Sequence, residues 1–167
     1  MGDIVTMDDL TNQEIVAVLD DAERLVPVAK GDVYLPLLQG KLLANMFFEN
    51  STRTRMSFET AMKRLGGSVL NFTSIGTSVA KGETLYDTMQ MIDGYADVAA
   101  IRHPRQGAAQ YSADAVEIPI LNAGDGAGNH PTQTMLDLFT IRQAHGTLEG
   151  LNVVLVGDLR YGRTVHS

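Results

Sequence analysis

A chain of 167 residues, 44% hydrophobic and 20% charged, is long enough for one domain with a real core but short for two, and its profile is globular rather than disordered. A formal net charge of -7 argues against general nucleic-acid binding, which needs a basic face; with no cysteine and four scattered histidines, neither a disulfide nor a metal or other cofactor is expected. No apolar stretch approaches the roughly 20 residues of a membrane span and the N-terminus lacks signal-peptide character, so no membrane partner and a cytoplasmic location are expected.

Taken in chain order, short apolar runs alternate with polar loops and segments of helical period, the signature of βαβ units and a parallel sheet flanked by helices. An opening helix is predicted over about 12–29, with Ile15, Val16, Leu19, Ala22 and Leu25 on one face. The run 42–48 reads as a buried strand. It leads to a helix over about 53–65, whose Phe58, Ala61, Met62 and Leu65 share a face and which Gly66 and Gly67 stop. A second short strand covers 68–72. The polar loop 73–82 is long for an α/β connection, where roughly 2–6 residues are usual, and so calls for a function.

Next come a helix over 83–92, a strand over 98–101, a helix over about 106–112 and a strand over 118–121. The glycine-rich turn 124–128 introduces a helix over about 131–145, with Pro131 in its first turn and Gly146 at its end. The run 151–156 reads as one further strand. A lone strand cannot fold by itself. The expected division is therefore an α/β domain over 1–146 followed, over 147–167, by the start of an incomplete second α/β domain.

Cationic side chains in this acidic chain cluster at strand ends, which points to a small anionic ligand. Ser51-Thr52-Arg53-Thr54-Arg55 lies between the first strand and its helix, where open α/β sheets bind ligands. A helix start there offers unpaired N–H groups and the positive end of its dipole. A single serine at such a point would signify only a cap. Three hydroxyls and two guanidiniums together make a phosphate site. Arg102-His103-Pro104 follows the strand 98–101, and Asn129-His130-Pro131-Thr132-Gln133 follows the strand 118–121. Three strand ends would then line one crevice suited to a phosphate joined to a polarised carbonyl. The glycine-lysine phosphate loop of nucleotide triphosphatases is missing, and the glycine spacing at 124–128 departs from the dinucleotide fingerprint.

These residues carry a family resemblance. The stretch Phe47-Phe48-Glu49-Asn50-Ser51-Thr52-Arg53-Thr54-Arg55-Met56-Ser57-Phe58-Glu59 resembles the carbamoyl-phosphate motif of the carbamoyltransferases, with Asn50 where the usual form has proline. Arg102-His103-Pro104 and His130-Pro131-Thr132-Gln133-Thr134 match two further family motifs. The segment 157–167 is similar to the aspartate-using branch rather than the ornithine-using one, and the resemblance runs over about 42–167. It implies transfer of the carbamoyl group from carbamoyl phosphate to the amino group of L-aspartate, giving N-carbamoyl-L-aspartate and phosphate, a step of pyrimidine biosynthesis.

Residue by residue, the resemblance implies that Ser51, Thr52, Arg53 and Thr54 bind the phosphate, with Arg102 shared between phosphate and carbonyl. Thr54, Arg102 and His130 would polarise the carbonyl, Gln133 would hold the carbamoyl nitrogen, and Arg163 would take a carboxylate of aspartate. Arg53, Thr54, Arg102 and His130 are thus the expected catalytic groups. Ser78 and Lys81, in the long loop, resemble residues that this family lends to a neighbouring subunit, which implies a homotrimer with shared sites. Regulatory subunits are a further candidate partner. In the family the chain later returns to complete the first domain, so the L-aspartate site is expected to be incomplete here. The expected behaviour of this chain alone is carbamoyl phosphate binding with little or no turnover. Two alternatives are a non-catalytic phosphate-binding module, which the co-occurrence of His130, Gln133 and Lys81 disfavours, and an ornithine carbamoyltransferase, which Thr132 and the segment 157–167 disfavour.

Overall fold

The apolar runs of the first 125 residues pair into a four-stranded parallel sheet: β1 (Leu42–Phe47), β2 (Ser68–Thr73), β3 (Val98–His103) and β4 (Ile120–Asp125), in the spatial order β2-β1-β3-β4. The computed structural model describes residues 2–73 and 82–167. Parallel neighbours need crossover connections. Helices α3 (Arg53–Arg64), α4 (Leu85–Asp93) and α5 (Ala108–Ala113) lie between the successive strands.

Helices on both faces explain why the central strands read as continuous apolar runs rather than alternating ones. Ala44, Met46, Ala99 and Ile101 pack on one face with Met89 and Ile92 of α4 and Ala109 of α5. Leu43 and Ala100 point to the other face, against Met62 and Phe58 of α3. The chain runs from β1 outward to β2 and then returns to the other side of β1 for β3, so the order reverses between β1 and β3. Crevices at the carboxyl ends of strands form at such a reversal. Register places Phe47 beside Arg102, which brings the first strand's loop next to the cation that ends β3.

Most predicted elements appear within a few residues of their expected bounds, with three differences. The opening helix divides into α1 (Asn12–Arg24) and α2 (Val26–Lys30), with Leu25 between them and Pro27 in the first turn of α2. Proline lacks the N–H that would continue the α1 ladder. The strand predicted over 118–121 runs instead from Ile120 to Asp125, through Gly124, the first glycine of the turn. The run 151–156 forms no strand. Val154 is 82% and Val156 92% exposed, and no strand among the described residues lies alongside to pair with them. Apolar content alone cannot make a strand, because the ladder needs a partner.

Helix α6 (Pro131–His145) begins and ends where the sequence places it, with Gly146 in the left-handed conformation at φ 73°. Arg142 fastens it to α1 by donating to the Asp20 carboxylate at 2.7 Å and to the Leu19 carbonyl at 2.5 Å.

Candidate functional site

The loop after β1 delivers Ser51 and Thr52 to the start of α3, so that Arg53 and Thr54 occupy its first turn. Thr52 is the N-cap, yet its side chain makes no capping bond and is exposed. The first-turn N–H groups of α3 are therefore available to an anion rather than consumed by a side-chain cap. The same holds across the cleft. His130 is the N-cap of α6 but does not cap it with its ring. At neither helix start does the N-cap side chain cap the helix.

All eight predicted site residues that fall in the described part of the chain line one cleft of about 1130 Å³: Ser51, Thr52, Arg53, Thr54, Arg102, His130, Gln133 and Arg163. Ser78 and Lys81 lie outside the described residues. Arg55, the second guanidinium of the motif, is turned away and lines a separate, smaller hollow with Phe48, Glu49 and Thr73. Of that pair only Arg53 serves the cleft. Asn50 also lines the cleft.

The inner end of the cleft is the more constrained. Arg102 donates through Nε to Glu49 Oε1 at 2.7 Å and through a terminal nitrogen to the Ala123 carbonyl at 3.2 Å. Arg163 donates to the same Glu49 oxygen at 2.8 Å, and its Nε bonds the Gly126 carbonyl. One half-buried carboxylate thus holds two guanidiniums side by side. Burial, and then the neighbouring Arg163 charge, lower the affinity of Arg102 for its proton, while Glu49 works in the opposite sense. An arginine stays charged through such a shift.

His130 is buried, and burial together with the Arg102 and Arg163 charges pushes its pKa down from 6.5 to about 4. The imidazole is therefore neutral near pH 7. Its Nδ1 lies 3.3 Å from the Thr132 hydroxyl; in the tautomer in which that hydroxyl donates to Nδ1, Nε2 carries the proton and can donate to an oxygen in the cleft. Its backbone N–H donates to Ser167 Oγ at 2.7 Å. Gln133 lines the cleft with its amide nitrogen donating to Asp137 at 3.1 Å.

Gly124 is the point on which these groups converge. A Cβ built there would lie 3.1 Å from an Arg163 nitrogen, 3.2 Å from an Arg102 nitrogen and 3.3 Å from His130 Cδ2, and the residue has φ +112°. Only glycine allows that approach and that conformation together. Sequence reasoning missed Gly124, although the glycine-rich run was its signal. Glu49 was also missed, because an acid beside an anion-binding motif reads as unfavourable until its two cationic partners are known.

Chemically, the arrangement offers an anion seat at a helix start and, next to it, two charged donors and one neutral donor around a single point. Among the described residues no group of three or more His, Asp or Glu side chains could hold a metal ion, and no helix is long and apolar enough to cross a membrane.

The family model described as aspartate/ornithine carbamoyltransferase, carbamoyl-P binding domain, matches residues 2–143. The aspartate carbamoyltransferase catalytic subunit of Archaeoglobus fulgidus is 53% identical over 168 residues, an alignment covering 100% of this chain and 56% of that protein. A crystal structure of aspartate transcarbamoylase from Trypanosoma cruzi, in complex with carbamoyl phosphate and aspartate, superposes with a TM-score of 0.95 at 44% identity, covering 99% of this chain and 55% of that one. The catalytic subunit of M. jannaschii aspartate transcarbamoylase superposes with a TM-score of 0.92 at 50% identity, covering 100% and 55%. The chain spans about half the length of the curated relatives it matches.

Proposed function

This chain belongs to the aspartate/ornithine carbamoyltransferase family, and from that premise we propose that it is the carbamoyl-phosphate-binding portion of an aspartate carbamoyltransferase. In the reaction, the amino group of L-aspartate attacks the carbonyl carbon of carbamoyl phosphate, and the tetrahedral intermediate collapses to N-carbamoyl-L-aspartate and phosphate. No covalent bond to the protein is required. Negative charge develops on the carbonyl oxygen and the departing phosphate, so donors fixed in advance supply most of the acceleration.

The observation that carries this reading is the convergence of Arg102, His130 and Arg163 on Gly124, beside the uncapped start of α3. Ser51, Thr52, Arg53 and Thr54 take the phosphate there. Arg102 spans phosphate and carbonyl, and neutral His130 donates to the carbonyl oxygen without transferring a charge. Glu49 offsets one of the three guanidinium charges of Arg53, Arg102 and Arg163, leaving two to face a dianionic phosphate. Arg163 donates to a carboxylate of aspartate, and Gln133, whose amide nitrogen donates to Asp137, uses its amide oxygen to accept from the carbamoyl N–H.

The cleft continues past this seat into an apolar wall formed by Leu25, Phe58 and Phe139. A small polar ligand has no use for that wall. It suits the returning segment that the family resemblance implies, and it favours weak or absent turnover by this chain alone. The same reading places a domain boundary near 146–150, takes Ser78 and Lys81 as donated to a neighbour in a homotrimer, and assigns the protein to the cytoplasm; regulatory subunits are candidate additional partners.

Calorimetric titration with carbamoyl phosphate, followed by a bisubstrate phosphonate analogue, tests the reading. Saturable carbamoyl phosphate binding that inorganic phosphate competes away is expected. No binding, or binding unaffected by Arg102→Ala, would refute it.

A further inference from the structure

The reacting atoms do not reach every charged group near the cleft. Asp125, the last residue of β4, is 3% exposed, and Asn122, three positions earlier, is 0% exposed. Both carboxylate oxygens of Asp125 act as acceptors. Oδ2 accepts from the Gly107 N–H at 2.7 Å, and Oδ1 accepts from the Asn129 N–H at 3.0 Å and from Asn122 Nδ2 at 3.2 Å.

These donors belong to the two loops that carry the inner end of the cleft. Gly107 closes the loop that leaves β3 just after Arg102 and His103, and Asn129 immediately precedes His130. The loops also meet directly. Gly126 N–H donates to the His103 carbonyl at 2.9 Å, and a Cβ on Gly126 would lie 2.5 Å from the Gln106 nitrogen. Asn122 is fixed in turn, donating to the Val5 carbonyl at 2.9 Å and accepting from the Gly124 N–H at 2.8 Å.

Burying a carboxylate is unfavourable unless its hydrogen bonds are made. No ion pair among the described residues involves Asp125, so backbone and amide donors alone hold it. An asparagine of the same shape could not replace it. One of its two positions would be an NH₂ group facing an N–H donor, so that only one loop could stay tied. A carboxylate is the side chain of this size that accepts from both loops at once.

We propose that Asp125 is a positioning residue for the carbonyl end of the cleft: by accepting from Gly107 and Asn129 it sets the spacing of Arg102 and His130. The inference rests on the function proposed above and adds a residue that touches no substrate.

The experiment compares affinities for carbamoyl phosphate and for inorganic phosphate by calorimetry, for the unaltered chain, Asp125→Asn and Gly126→Ala. Inorganic phosphate needs chiefly the start of α3, whereas carbamoyl phosphate also needs the spacing that Asp125 sets. In Asp125→Asn the preference for carbamoyl phosphate over phosphate falls about tenfold, while affinity for phosphate itself changes about twofold or less. Gly126→Ala leaves the carboxylate in place but forces a methyl against the Gln106 backbone, pushing apart the two loops that Asp125 ties, and the same selective loss follows; should Asp125→Asn fail to fold, an unchanged preference in this variant overturns the spacing that Asp125 is proposed to set. An unchanged preference, or a proportional loss of both affinities, overturns the positioning role. If the unaltered chain binds no carbamoyl phosphate, the proposed function itself falls, and this inference with it.

Discussion

At the start of α3, Thr52 and Arg53 are exposed and the helix has no side-chain cap, whereas at the ends of β3 and β4 Arg102, Arg163 and His130 are fixed by Glu49, Ala123, Gly126 and Ser167. The two ends of one cleft are therefore organised differently. A phosphate carries its charge before and after reaction, so unpaired donors that it completes on arrival are sufficient. A carbonyl oxygen gains charge only during the reaction, and donors for it act best when held in place beforehand. Changes at the fixed end should be costly and specific, and changes at the open end mild.

The largest effect is expected from Arg102→Ala. It removes a donor from the carbonyl end and leaves Glu49 with Arg163 alone; in any catalytically active form, steady-state kinetics should show turnover reduced about 10²–10³-fold. Near-normal turnover would erase the distinction between the two ends.

His130 gives the next effect, in stability rather than affinity. Its folded pKa of about 4 lies below the ordinary 6.5, so on acidification the unfolded imidazole takes up a proton that the folded one refuses. Stability from this group is thus present above pH 6.5 and is lost as pH falls toward 4, by up to about 2 kcal/mol between pH 7 and pH 5. Thermal melts across that range should show the decline, and His130→Gln should flatten it.

Gly124→Ala inserts a methyl among Arg102, Arg163 and His130 at a left-handed position. Carbamoyl phosphate affinity measured by calorimetry should fall about tenfold. Thr52→Ala should be mildest: its hydroxyl caps nothing, so the melting temperature should hold while carbamoyl phosphate affinity falls about threefold. A clear loss of stability in that variant would mean the open end is not open.

The sheet and its helices were legible in the sequence because burial on both faces leaves unbroken apolar runs, as in Leu42–Phe47, and because Pro131 and Gly146 mark the ends of α6. The break at Leu25 was hidden, since the apolar period continues through Pro27 and only the missing N–H interrupts it. The run 151–156 misled for the opposite reason: its composition suits a strand, but pairing depends on a neighbour that local sequence cannot reveal. The ligand-facing residues were readable as cations and hydroxyls concentrated at strand ends. Glu49, Gly124 and Asp125 were not, because each acts through partners distant in sequence, such as Arg163 for Glu49 and Gly107 for Asp125.

The most direct measurement is a crystal structure of the chain with carbamoyl phosphate bound. The account predicts phosphate oxygens on the first-turn N–H groups of α3 and on Arg53, with the carbonyl oxygen within hydrogen-bonding distance of Arg102 and His130, above Gly124. A ligand settled elsewhere, or one whose carbonyl points away from both side chains, would contradict it.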